Sequence, residues 1–169
     1  MRKVLLAGAA AAVVLALAGG MSLASASQVA APSPATSQTL VFNVAFSPFA
    51  FIQTNNVRNP KSPIALGDEI VSHDQLYSNG KHVGDDAVSF VIVSAPPNVI
   101  LANCTGVIRL ASGTIAFQTT ATLGPTPKQL AVTGGTGAYR NVGGDGTLVE
   151  FGNKNNTRKL TLHVLSLAG

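Results

Sequence analysis

From Leu40 to Leu167 the chain alternates apolar and polar residues in period two with hardly a helical period anywhere, and this restricts the fold more than any other feature. Leu40, Phe42, Val44 and Phe46 share one face, while Val41, Asn43, Ala45 and Ser47 share the other, which predicts a first strand. Phe49 to Thr54 continues it past a kink at Pro48. Gly67 to Ser78 and Lys81 to Ser94 flank Asn79-Gly80, the preferred centre of a type I′ turn, and form a hairpin. In its first arm Ile70, Ser72, Asp74 and Leu76 point one way; in its second, Val88, Phe90 and Ile92 do. Val99 to Leu110 and Thr114 to Leu123 pair around Ala111-Ser112-Gly113, and Asn141 to Phe151 pairs with Arg158 to Leu167. Between these hairpins Gln129 to Thr133 is a short strand, bringing the total to eight.

Six glycines between Leu130 and Leu148 interrupt two of these strands without destroying them. Glycine reaches positive φ with no Cβ clash, so Gly134-Gly135-Thr136-Gly137 turns the chain sharply between Val132 and Tyr139. No Lys-Ser or Lys-Thr follows, and the next residues read as strand, which argues against a phosphate-cradling loop. Consecutive hairpins make sequence neighbours into sheet neighbours, and an eight-stranded meander can close on itself and remove its edges. The predicted fold is an all-β, eight-stranded antiparallel up-and-down barrel, with a β-sandwich as the structural alternative. At eight strands the interior is filled by side chains or holds one small ligand. Several strands are apolar on both faces, which points to a covered exterior, most simply by another copy in a homo-oligomer.

Residues 1–26 stand apart from this domain. Arg2 and Lys3 precede an apolar run from Val4 to Ala18, and Ala24-Ser25-Ala26 matches a small-residue cleavage site, so a secreted protein is expected. The run is short of the ~20 residues that span a bilayer, so no membrane association is expected after cleavage. Residues 27–38, rich in Pro, Ser and Ala, read as a disordered lead-in, which leaves 39–169 as the barrel. Without Arg2 and Lys3 the eleven basic residues become nine against seven acids, a net +2. Lys154, Arg158 and Lys159 lack stacking aromatics and read as a solvated hairpin tip, so nucleic acid is not an expected partner. Cys104 is the single cysteine and alternates in step with Ile100, Ala102, Ile108 and Leu110, as a buried small hydrophobe does. None of His73, His82 and His163 has a sequence-close metal or base partner, and no metal site is expected.

Three segments carry a resemblance: Gly67-Asp68-Glu69-Ile70; Leu76-Tyr77-Ser78-Asn79-Gly80-Lys81 with Val83-Gly84; and Leu130 to Tyr139, LAVTGGTGAY. In order and spacing, over nearly all of the domain, they resemble the allene oxide cyclase and dirigent superfamily. The resemblance implies a calycin-type barrel, often trimeric, around an elongated apolar cavity, needing no cofactor. It implies closure of an unstable epoxide fatty acid in one branch, and steering of phenolic intermediates in the other. Its polar positions fall on Asn43, where the cyclases have an acid; on Ser89, where they have a cysteine; and on Asp74, an amide in the cyclases and an acid in dirigent proteins.

Asp74 is the candidate catalytic residue, because a carboxylate among Ile70, Ser72 and Leu76 has a raised pKa and can act as general acid or base. The alternative is a rim acid hydrogen-bonded to a turn. Asn43 and Ser89 are candidate ligand-binding residues or satisfy one another in the wall. Arg109 is a counter-ion for Asp74 or for a ligand, or an outward solvated residue. Tyr139 and Arg140 are candidates at a barrel mouth, or turn packing. The sequence thus points to a secreted barrel that binds a small hydrophobic molecule, either as a cofactor-free isomerase or cyclase, or as a dirigent-like or non-catalytic binding barrel.

Overall fold

The computed structural model describes residues 36–48, 50–54, 64–95, 99–152 and 157–166, all within the second of two compact units, Pro32–Gly169. The expected leader, most of the lead-in, the loop 55–63 and the hairpin tip 153–156 lie outside these residues.

Among the described residues nine strands make one sheet: β1 Thr36–Ala45, β2 Ala50–Ile52, β3 Glu69–Ser78, β4 Lys81–Ser94, β5 Leu101–Leu110, β6 Gly113–Thr122, β7 Lys128–Gly135, β8 Val142–Glu150 and β9 Thr157–Ser166. Each pairs antiparallel with its neighbour from β3 to β9, β9 pairs with β1, and β1 returns to β3 through Asn43↔Tyr77 and Ala45↔Gln75. Eight strands therefore close an up-and-down barrel. Two details differ from expectation. β1 begins at Thr36, so Thr36, Ser37 and Gln38 are ladder residues opposite Ser166, Leu165 and Val164 rather than lead-in. The segment after Pro48 does not prolong β1 but forms β2, which takes the stretch of β3 beyond the reach of β1, with Ala50 opposite Val71 and Ile52 opposite Glu69.

Alternation decides what fills the barrel. Phe42 and Val44, Leu76, Ile108, Ile115 and Phe117, Leu130 and Val132, Leu160, Leu162 and Val164 form one inner cluster. Cys104 lies in a second with Ile92, Ala102 and Ala121, as its phase in β5 predicts. Gly106 makes room for Phe117, its partner across the ladder: a Cβ at 106 would stand 2.6 Å from Phe117 Cε1.

The glycine segment closes one end. β7 enters it, a single 3₁₀ turn Gly137–Tyr139 caps it, and β8 leaves. The Ser112 carbonyl accepts from Ala138 N at 2.8 Å and the Thr114 carbonyl from Thr136 N at 2.9 Å, so the β5–β6 turn and this loop lie against each other. Gly137, at φ 61°, permits that approach, since a Cβ there would meet the Ser112 carbonyl and stand 3.0 Å from Gly113 Cα. At the opposite end, buried Asp68 accepts from Thr54 N at 3.1 Å and Ala65 N at 2.8 Å. Exposed Phe51, Ile52, Leu66 and Phe151 surround this second end.

Candidate functional site

Toward the second end the inner wall turns polar. Asp74 on β3 and Asp86 on β4 sit directly across the ladder from one another, and both are buried. Their positions follow from parity, since Asp74 continues the face of Ser72 and Leu76, and Asp86 that of Val88, Phe90 and Ile92. Glu150 on β8 and Arg158 on β9 form the next facing pair, with Arg158 Nη2 3.3 Å from Glu150 Oε1. Lys128 opens β7 and is buried; its Nζ lies 3.1 Å from the same Glu150 oxygen and donates to the carbonyls of Gly124 at 2.6 Å and Thr126 at 3.2 Å. The Arg158 guanidinium lies over the Phe46 ring, 2.9 Å from its centroid.

These side chains border two adjoining spaces. An inner void of about 30 Å³ lies among Asp74, Asp86, Phe117, Thr119, Lys128 and Arg158. An outer cavity of about 140 Å³ is lined by Phe46, Ile70, Ser72, Phe90, Glu150 and Arg158, among others. Both are small beside the ~300–1,000 Å³ of pockets for drug-sized ligands.

The two aspartates differ in support. Asp74 accepts from the Ser47 backbone N–H at 3.0 Å and from Ser72 Oγ at 3.3 Å. Burial nevertheless raises its pKa, against the opposing pull of the Ser47 N–H, Arg158, Ser72 and His73. Asp86 Oδ1 is buried without a hydrogen-bond partner. Burial first, and the nearby Asp74 charge second, push the Asp86 carboxyl up to about 7. Two carboxylates this close cannot both ionise cheaply, so the proton stays with the less supported one near neutrality. Burial lowers the Arg158 pKa against the opposing charges of Glu150, Asp74 and Asp86. The site thus holds a supported carboxylate, a neighbouring carboxyl poised to give or take a proton, and a desolvated cation.

The other residues singled out in the sequence lie elsewhere. Asn43 is exposed on the outer face, because Phe42 and Val44 take the inner one. Ser89 is also outward and donates to Glu69 Oε1 at 2.5 Å, so it neither meets Asn43 nor borders the cavity. Arg109 is exposed and paired with Asp85 at 2.6 and 2.9 Å rather than with Asp74. Tyr139 is buried in the core at the closed end and accepts from Ser112 Oγ at 3.3 Å; Arg140 beside it is exposed. That end is the barrel floor and not its mouth, since the β5–β6 turn packs against it. Only Asp74 of the six is in the cavity wall.

Sequence reasoning passed over Asp86, Lys128, Glu150 and Arg158, and Arg158 is an inner residue rather than part of a solvated tip. The signal was the phase of each strand carried one residue further. Arg158 precedes Leu160, Leu162 and Val164, and Lys128 precedes Leu130 and Val132, each on the apolar face. Among the described residues no three His, Cys, Asp or Glu side chains come together as a metal site.

A family model described as the allene oxide cyclase barrel like domain matches residues 50–161. No curated protein matches the chain. Among solved structures, a pyocyanin demethylase superposes with a TM-score of 0.66 at 24% identity, over 75% of this chain and 99% of its own. A pterocarpan synthase dirigent protein does so at 0.63 and 14% identity, over 79% and 92%. A Diels Alderase from Streptomyces koyangensis gives 0.59 and 15%, over 76% and 64%. At these identities the likeness is one of fold.

Proposed function

Because the chain belongs to the allene oxide cyclase barrel-like family, we propose that it binds a compact, largely apolar molecule in the mouth cavity and isomerises or cyclises it by proton transfer. Asp86 is the group that gives or takes the proton, and Asp74 is the anion that sets its affinity. The observation that carries this reading is the facing pair of buried carboxyls, one held by a backbone N–H and a serine hydroxyl and one with its Oδ1 left without a donor. A general acid works best when its pKa lies near the working pH, and Asp86 at about 7 meets that condition. The cavity supplies the rest by selecting one folded conformer of the bound molecule. Solved structures of this fold include a demethylase, a dirigent protein and a Diels Alderase, so the barrel is compatible with chemistry on small molecules.

The test is extraction and mass spectrometry of the compounds that co-purify with wild type, Asp74→Asn and Asp86→Asn. Catalysis predicts that the Asp86→Asn barrel retains a compound the wild type converts, and that adding wild type to this compound yields an isomer of equal mass. The same compound recovered unchanged from all three would leave a binding barrel. A dirigent-like reading predicts product only when a radical-generating oxidase is supplied. Export is the second part of the proposal, and amino-terminal sequencing of secreted protein is expected to begin at Ser27. Self-association is the third: Val71, Ala87, Val107 and Ala116 line an open outer groove of about 480 Å³, and sedimentation velocity is expected to give more than a monomer.

A further inference from the structure

Among the described residues, two buried polar side-chain atoms of the cavity wall have no hydrogen-bond partner. Asp86 Oδ1 and Arg158 Nε are both buried, both unbonded, and both belong to side chains that line the same inner void. Arg158 spends Nη2 on Glu150 and its face on Phe46, which leaves Nε–H as an unused donor. Asp74, by contrast, is satisfied by Ser47 and Ser72, and Lys128 by Gly124, Thr126 and Glu150. A buried donor and a buried acceptor left open in one cavity cost free energy unless a bound molecule engages them.

Resting on the reading above that the cavity holds a small molecule, we propose that its ligand is a compact weak acid with an O–H or N–H, bound as its conjugate base. The ligand anion accepts from Arg158 Nε–H, and one proton is kept on Asp86. The step is one proton transfer: the ligand X–H bond breaks, the electron pair stays on X, and the proton forms an O–H bond on the Asp86 carboxylate or, where Asp86 already carries its proton, passes to water. Charge favours this arrangement. The groups facing the void are Asp74 on β3, Asp86 on β4, Cys104 on β5, Lys128 on β7 and Arg158 on β9, with Glu150 on β8 at the outer cavity. With Asp86 protonated, Asp74 and Glu150 balance Lys128 and Arg158, so the anion adds one charge. With Asp86 ionised it would add to a site already negative.

The experiment uses two probes of one ring each, 4-nitrophenol, which is coloured only as its anion, and nitrobenzene, which has no acidic proton. At a pH where free nitrophenol is mostly colourless, the barrel is expected to develop the nitrophenolate band. Arg158→Met is expected to weaken nitrophenolate binding by roughly tenfold to hundredfold while nitrobenzene binds as before. Arg158→Lys keeps the charge opposite Glu150, safeguards folding, and is expected to lose several-fold. Wild-type affinity for the anion is expected to fall as pH rises above about 7, when Asp86 ionises, and Asp86→Asn is expected to abolish that fall. Nitrophenol bound without the anion band, or Arg158 variants that bind it like wild type, or matching pH profiles for wild type and Asp86→Asn, would overturn the proposal while leaving a binding cavity. Failure of both probes to bind would overturn the cavity reading with it.

Discussion

Replacing Asp86 by asparagine is expected to stabilise this protein above neutral pH, and the size of the effect follows from where the carboxyl sits. In the unfolded chain an aspartate titrates near 3.8; in the barrel, burial and the Asp74 charge push Asp86 up to about 7. Between those values the folded state holds a proton that the unfolded state has lost, so the Asp86 contribution to stability declines as pH rises through that window and is flat above it. Roughly three pH units at 1.36 kcal/mol each set an upper bound of about 4 kcal/mol. Asparagine has nearly the same shape and no charge, so it removes the decline. Urea unfolding of wild type and Asp86→Asn from acid to alkaline pH reads the difference directly: the two curves coincide near pH 4, diverge between about 4 and 7 and run parallel above it, with the variant the more stable by about 2–4 kcal/mol. An Asp86→Asn barrel less stable than wild type at alkaline pH would refute the reasoning, because it would mean that the ionised carboxylate is well solvated or paired. A stabilised but inactive variant would show that the site holds its acid at a cost to the fold, as functional sites commonly do.

Other perturbations follow from the same geometry. Gly106→Ala drives the Phe117 ring into the cavity it borders and is expected to cost about 1–3 kcal/mol in urea unfolding, with weaker binding of small probes. Lys128→Met strips donors from the Gly124 and Thr126 carbonyls and one of two cations from Glu150, and is expected to cost about 3 kcal/mol. Arg109→Ala breaks an exposed pair with Asp85 on the outer surface, and is expected to leave both the unfolding midpoint and probe affinity unchanged. The Cys104 thiol, pushed up to about 11 by burial, is expected to resist alkylation at pH 8 until the protein is unfolded in urea.

What could be read from the chain alone was whatever depends on local periodicity. The alternation of Phe42 with Asn43, the Asn79-Gly80 turn and the glycines after Val132 each act within a few residues, so the strands, their turns and the inner phase of Asp74 followed without coordinates. The same rule contained Asp86, Lys128 and Arg158, but a charge at the end of an apolar face looks in sequence like a frayed tip. Only closure of β1 onto β3 decided otherwise. Once the sheet curls, residues of five strands converge on one small volume, and side chains more than eighty residues apart, Asp74 and Arg158, feel each other's charge. Closure also turned Asn43 and Ser89 outward and placed Tyr139 at the floor, because inside and outside exist only for a sheet that has curvature. The pattern of the residues pointed to a meander of strands; which of its polar groups share a solvent-poor interior was settled by the closure of that meander into a barrel.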